Sequence, residues 1–170
     1  MSFEKVTIDA VEPVGPRDED IPPGAEADSV GGIRVLSDEL DTDGISVNYY
    51  ELTPGESFTV SIHRHGVQKE LFYIVSGTVT FESESEEMTV ESGEIIRIPP
   101  GTFQLGTNYG DEPATGLALG VPREYEEETE WLVECEECGH RTVHIFSEAE
   151  VDGEYRYECA DCGSETYRVS

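Results

Sequence analysis

His63 and His65 stand one residue apart, and Glu70 follows five residues after the second of them. Side chains two apart on an extended strand share a face, so the two imidazoles can reach one point. A carboxylate arriving from the next strand supplies a third contact. Two histidines and one carboxylate are the facial ligand set of a divalent metal, and they leave the opposite positions open to substrate or oxygen. We read His63, His65 and Glu70 as ligands. The chemistry they imply is metal-assisted work on a small molecule. No sulfur lies in this stretch, which leaves Mn2+, Fe2+, Ni2+ or Zn2+ as candidates. Arg64, between the histidines, should point away from the ion.

The elements that must hold these residues read as short strands over residues 33–121. Ile45, Val47 and Tyr49 alternate with polar residues, as do Phe58, Val60 and Ile62, and residues 71–75 are continuously apolar. Val79 with Phe81, then residues 88–90, 95–98, 103–105 and 117–121, complete the set. Turn signals recur at Thr53-Pro54-Gly55, Ser92-Gly93 and Pro99-Pro100-Gly101. Many short strands with Gly and Pro punctuation predict an all-β sandwich or barrel. Phe58, Val60 and Ile62 fall opposite His63 and His65 in this pattern. If the histidines look inward, that apolar face looks outward and needs a cover, which a second subunit or the N-terminal arm could supply; a homodimer is expected. Residues 1–32, where Pro13, Pro16, Pro22 and Pro23 block helix, are expected as an extended arm that adds an edge strand or lies across a neighbouring surface, or else as a mobile leader.

A second ligand set closes the chain. After an acidic linker over residues 122–130, residues 131–170 contain Cys135-x2-Cys138 and Cys159-x2-Cys162, separated by 20 residues. Gly139 and Gly163 follow the two pairs and allow the tight turns that aim four thiolates at one point. Four thiolates complete a tetrahedral Zn2+ and leave no position for substrate. So small a module cannot bury enough apolar surface alone, so the ion would supply its folding energy. This part resembles the zinc ribbon family. His140 and His144 are expected on its surface or strands rather than at the ion.

Charge limits the partners. The chain of 170 residues has 38 acids against 10 bases, a net charge of −28, and its only lysines are Lys5 and Lys69. An acidic, lysine-poor coat suits a cytoplasm of molar salt, where screening acts within about 3 Å, and so predicts a salt-accumulating source. It excludes nucleic acid, which needs basic patches to displace phosphate counterions. The cysteine module has 15 acids against 4 bases from Pro122 onward, so a structural appendage or a protein-contact module is the better expectation for it. No apolar run reaches the length of a membrane span, and residues 1–10 show no signal-like core. A cytoplasmic location is expected.

The middle of the chain resembles the cupin superfamily. The first motif of that superfamily matches at Gly55, His63, His65, Glu70 and Gly77, with seven residues between Gly55 and His63 where five are usual. The second matches at Gly93, Pro99, Gly101, Gln104 and Asn108. The resemblance implies a double-stranded β-helix, or jelly-roll barrel, with a divalent metal inside. It implies a small-molecule ligand, and either dioxygenase- or isomerase-type chemistry or a non-catalytic binding role. Gln104 stands where the motif has a third histidine, so it is expected as a weaker fourth ligand or as a hydrogen-bond partner. Phe72, Tyr73 and Phe103 are expected as core or cavity lining. Arg97 is expected in a surface ion pair or, failing that, at an anionic substrate.

Overall fold

Two layers of strands close around the aromatic side chains that the sequence places between residues 50 and 81. The computed structural model describes residues 3–16, 21–22, 24–124, 129–151 and 154–169. Its strands are β1 (Gly32–Val35), β2 (Ser46–Leu52), β3 (His63–Arg64), β4 (Lys69–Ser76), β5 (Thr78–Glu82), β6 (Glu87–Glu91) and β7 (Ile95–Ile98). They continue as β8 (Leu105–Thr107), β9 (Ala114–Val121), β10 (Glu130–Cys135), β11 (His140–Val151), β12 (Glu154–Cys159) and β13 (Glu165–Val169). One four-residue helix, α1 (Leu36–Glu39), interrupts them. No helix among the described residues is long and apolar enough to cross a membrane.

The strands form three antiparallel sheets, in the orders β1-β2-β9-β4-β7, β6-β5-β8 and β13-β12-β11-β10-β3. The first two face each other as a jelly-roll barrel. Alternation decides what lies between them: Tyr50, Leu52, Phe72, Ile74, Ala114 and Ala118 point in and are buried, while Tyr73 and Val75 point out. Gly77 turns the chain from β4 into β5 with φ at +75°, and a side chain there would meet Ala114 at 2.7 Å.

The predicted strand over residues 58–62 does not form. The chain bends through residues 58–61 and becomes a strand only at His63–Arg64. Two cores flank this segment, and each takes one of its apolar side chains. Phe58 enters the barrel and stacks among Tyr50, Phe72 and Phe81. Val60 turns the other way, into a cluster with Ile21, Val30, Trp131, Val133 and Tyr157. The outward apolar face that called for a second subunit is therefore covered from within the chain, by the arm and by the cysteine module.

The arm lies along the barrel. Val14 exchanges both backbone hydrogen bonds with Ile33, at 2.7 and 3.3 Å, and Ile21 is buried. The strand expected at 103–105 is displaced to Leu105–Thr107, leaving Gln104 in a single bridge to His63. At the expected linker, residues 125–128 lie outside the described residues, and β10 already begins at Glu130. This strand continues the module's sheet onto the barrel, pairing Glu130 with Arg64 and Trp131 with His63.

Candidate metal centre

Four side chains converge at the barrel wall. Glu70, the second residue of β4, faces inward two residues before Phe72 and pairs across the sheet with Ile98 and Gly120. His63 sits on the short β3, where its N–H donates to the Gln104 carbonyl at 3.2 Å and the Gln104 N–H returns a bond at 2.9 Å. That bridge sets the Gln104 side chain beside the histidine. Donor atoms of His63, His65 and Glu70 all lie within 4.8 Å of one another. The sequence-predicted ligands therefore come together, and Gln104 comes with them.

The hydrogen bonds fix which atoms are free to ligate. His65 turns Nε2 toward Glu70, 3.6 Å from its carboxylate, and Nδ1 toward the Thr129 hydroxyl at 3.2 Å. His63 sets Nδ1 against the Ser61 carbonyl at 3.3 Å and Nε2 toward Gln104 at 3.5 Å. Both imidazoles thus turn Nε2 to the centre and Nδ1 to an outer partner, with the Ser61 carbonyl accepting from His63 Nδ1–H and the Thr129 hydroxyl able to accept from His65 Nδ1–H, the arrangement that orients ligating histidines. The Gln104 amide nitrogen donates to Glu70 at 2.9 Å, which leaves its oxygen, Oε1, buried and without a partner. The Gln104 amide meets His63 and Glu70 through its nitrogen, so turning that amide would bring its unpartnered oxygen to two imidazoles and a carboxylate, a donor set that fits a cation.

Electrostatics favour the metal-ready protonation states. Burial pushes His63 down to about 4, against the pull of the Glu70 charge, so its ring is neutral at pH 7. Burial pushes the Glu70 carboxyl up, but hydrogen bonds from His65 and Gln104 and the histidine charges outweigh it and hold the group low. These shifts predict how the metal-free protein responds to acid. The unfolded chain takes up a proton at His63 near 6.5 that the fold refuses until about 4, so stability falls across that window and then levels. At 1.4 kcal/mol per unit the loss is roughly 3 kcal/mol. Glu70 acts in the same direction: its contribution is present above its unfolded value and fades as the pH falls through its lower folded one. Urea midpoints measured against pH at molar KCl should show this slope, and His63→Gln should flatten it between 6.5 and 4.

A cavity of about 250 Å³ opens on these residues. Asn48, Tyr50, Gln68, Phe72, Thr129 and Trp131 contribute to its walls. The Asn48 side-chain oxygen, like that of Gln104, is buried with no hydrogen-bond partner. Of the aromatic residues singled out in the sequence, Phe72 lines the cavity, Tyr73 is exposed on the outer face, and Phe103 is buried under the Arg64 guanidinium, 4.4 Å from its ring. Arg64 points away from the centre, as alternation requires, and pairs with Glu130. Arg97 is exposed on the outer face and makes no ion pair among the described residues. Sequence reasoning missed Asn48, Gln68, Thr129 and Trp131.

The second cluster is as well formed. Sulfur atoms of Cys135 and Cys162 lie 3.8 Å apart, and those of Cys138 and Cys159 lie 3.9 Å apart. All four thiols are free of disulfides. Four sulfurs placed tetrahedrally at the Zn–S distance of 2.3 Å would be separated by about 3.8 Å, so the spacing fits a Zn2+-sized ion. Gly139 and Gly163, with φ at +69° and +70°, close the two knuckles by bonds back to the Cys135 and Cys159 carbonyls. Hydrogen bonds from Ser164 and from the Cys138 backbone pull the Cys135 thiol down to about 5. His140 is exposed and His144 is buried on β11, and neither belongs to the cluster.

Residues 48–120 match the family model of the cupin domain. The barrel has the cupin fold. An uncharacterized protein of Methanocaldococcus jannaschii is 32% identical over 71 residues, which are 42% of this chain and 57% of that protein. A sugar phosphate isomerase of the cupin superfamily from Silicibacter pomeroyi superposes with a TM-score of 0.63 at 18% identity, covering 98% of this chain and 93% of that one. A predicted oxalate decarboxylase of Thermotoga maritima superposes with a TM-score of 0.56 at 19% identity, covering 70% of this chain and 99% of that one. At such identities the likeness is one of fold.

Proposed function

We propose that this cupin is a divalent-metal protein that takes a small, neutral, oxygen-bearing molecule, with His63, His65 and Glu70 as ligands and the Gln104 oxygen as a fourth. The observation that carries this reading is the convergence of the three donors beside an unpartnered buried carbonyl oxygen. Bound there, the ion supplies Lewis acidity, which polarises a carbonyl or hydroxyl oxygen of the type handled in isomerase or dioxygenase chemistry. The cavity, at about 250 Å³, is below the ~300–1,000 Å³ of drug-sized sites. The unpartnered oxygen of Asn48 asks for a donor, which a hydroxyl group provides.

The Silicibacter pomeroyi neighbour acts on sugar phosphates by its description. A phosphate in this cavity would face Glu70 with no Lys or Arg among the described lining residues to receive it. That favours the unphosphorylated relative of such a substrate. A binding role without turnover is the second reading, favoured because His63, His65, Glu70 and Tyr50 are the only ionisable side chains on the described walls. Of these only Tyr50 lies outside the proposed ligand set.

The test compares aldoses, ketoses and hydroxyketones with their phosphates by calorimetry, on protein loaded with Mn2+, Fe2+, Ni2+ or Zn2+. The neutral compounds should bind only when the barrel ion is present. Preferential binding of the phosphates, or equal binding after the His63→Ala and His65→Ala changes, would overturn the assignment. Conversion of a bound compound separates the enzyme from the binding protein.

A further inference from the structure

We propose that the first strand of the cysteine module is part of the barrel site, with Thr129 and Trp131 as positioning residues for His65 and His63, so that the ion held by the four thiolates governs how the barrel grips its own ion. This rests on the reading of His63, His65 and Glu70 as ligands.

The two histidines have little support from the barrel itself. β3 is two residues long, and its partner strand is β10, which belongs to the module. On the barrel side His63 has the single bridge to Gln104. His65 lies beyond the end of β3, and its carbonyl is tied to the Gly101 N–H at 2.8 Å. The Ser61 carbonyl also meets His63 Nδ1 at 3.3 Å, and a further group of contacts that orient the two imidazoles comes from residues 129–132. The Thr129 hydroxyl meets His65 Nδ1 at 3.2 Å. The Trp131 ring lies over His63 with centroids 5.3 Å apart and planes tilted by 36°. The Leu132 N–H donates to the Ile62 carbonyl at 2.9 Å, and Glu130 pairs with Arg64.

β10 also carries the first thiolate. It runs six residues, from Glu130 to Cys135, so the cluster at one end and the histidine partners at the other share one strand. Trp131 and Val133 are buried on its inner face, and the apolar cluster they join borrows Ile21, Val30 and Val60 from outside the module. From the module itself the cluster adds Tyr157, with Phe146 packed against it, to β10's own residues, so the ion that ties Cys135 to the other three thiolates is a main anchor of the far end of β10. When β10 loosens, His65 loses the Thr129 hydroxyl at its Nδ1 and His63 loses the ring that covers it. Partners of this kind are worth about 10–100-fold in metal affinity.

Trp131 is the chain's single tryptophan, so its emission reports on the site directly. The full chain, with Zn2+ in the thiolate cluster, is titrated with Ni2+ at molar KCl, and Ni2+ is counted by elemental analysis. An open-shell ion at His63 should quench Trp131 at one equivalent per chain. Thr129→Val should weaken Ni2+ binding about tenfold or more, with Thr129→Ser restoring it. Cys135→Ser with Cys138→Ser should weaken it at least as much and shift Trp131 emission to the red. Barrel affinity within twofold of wild type in both Thr129→Val and the cysteine variant overturns the proposal. If the cysteine variant fails to fold, Thr129→Val decides alone, since it leaves the cluster untouched. If wild type takes up no barrel ion, the ligand reading fails. Amide exchange over residues 62–65 then decides the coupling, which is supported if exchange speeds tenfold when the cluster is stripped of Zn2+ and overturned if it is unchanged.

Discussion

Changing His63 and His65 together to alanine removes one metal ion per chain and leaves the other. Elemental analysis at molar KCl is expected to count two ions in the wild-type protein and one in the double variant. The barrel centre loses two of its three strong donors, and Glu70 with the Gln104 amide cannot hold a transition ion against water. The thiolate cluster shares no ligand with the barrel centre, and its four sulfurs already satisfy a tetrahedral ion. The effect is therefore all-or-none at one centre. A wild-type protein with a single ion would mean that the barrel is a metal-free pocket, and the function proposed for it would fall with the ion. The variant should keep its fold, since losing a lowered His63 also removes the acid sensitivity predicted for that residue.

How much of this was legible in the sequence depends on how local the geometry is. His63, His65 and Glu70 could be read because their spacing alone places them on one strand face and its neighbour. The cysteine pairs could be read for the same reason: each knuckle is complete within a few residues. Gln104 was found only through the cupin resemblance, since nothing around it marks a residue that bridges back to His63. Thr129 and Trp131 were out of reach. Their contacts to His65 and His63 span more than sixty residues across the acidic linker, and neither residue type at its place has a local signature. The net charge of −28 described the coat and gave no hint of the interior. The alternation at residues 58–62 was real but misleading. A period of two predicts one strand with two faces, whereas the segment lies between two cores and feeds both.

That last difference carries a second large expected effect. Phe58→Ala should destabilise the barrel by about 3–5 kcal/mol, read from urea unfolding at molar KCl. Phe58 touches three aromatic rings, with centroids 4.8 Å from Tyr50, 4.9 Å from Phe72 and 5.8 Å from Phe81. The hole it leaves is hard to refill, because the backbone around it is already closed. A methyl group on Gly106 would come within 2.9 Å of the Phe58 ring, and one on Gly116 within 3.1 Å, so the chain there packs flat against the ring and has no side chains to relax inward. Val60→Ala should behave differently although it is only two residues away. It removes fewer atoms and opens the other cluster, so Trp131 emission should shift to the red with a smaller loss of stability. Had Phe58 and Val60 shared an outward strand face, both changes would cost little and Trp131 would not separate them. A Phe58→Ala loss under about 1 kcal/mol would place that side chain outside the core and return the apolar face to the surface, where a second subunit would again be needed to cover it.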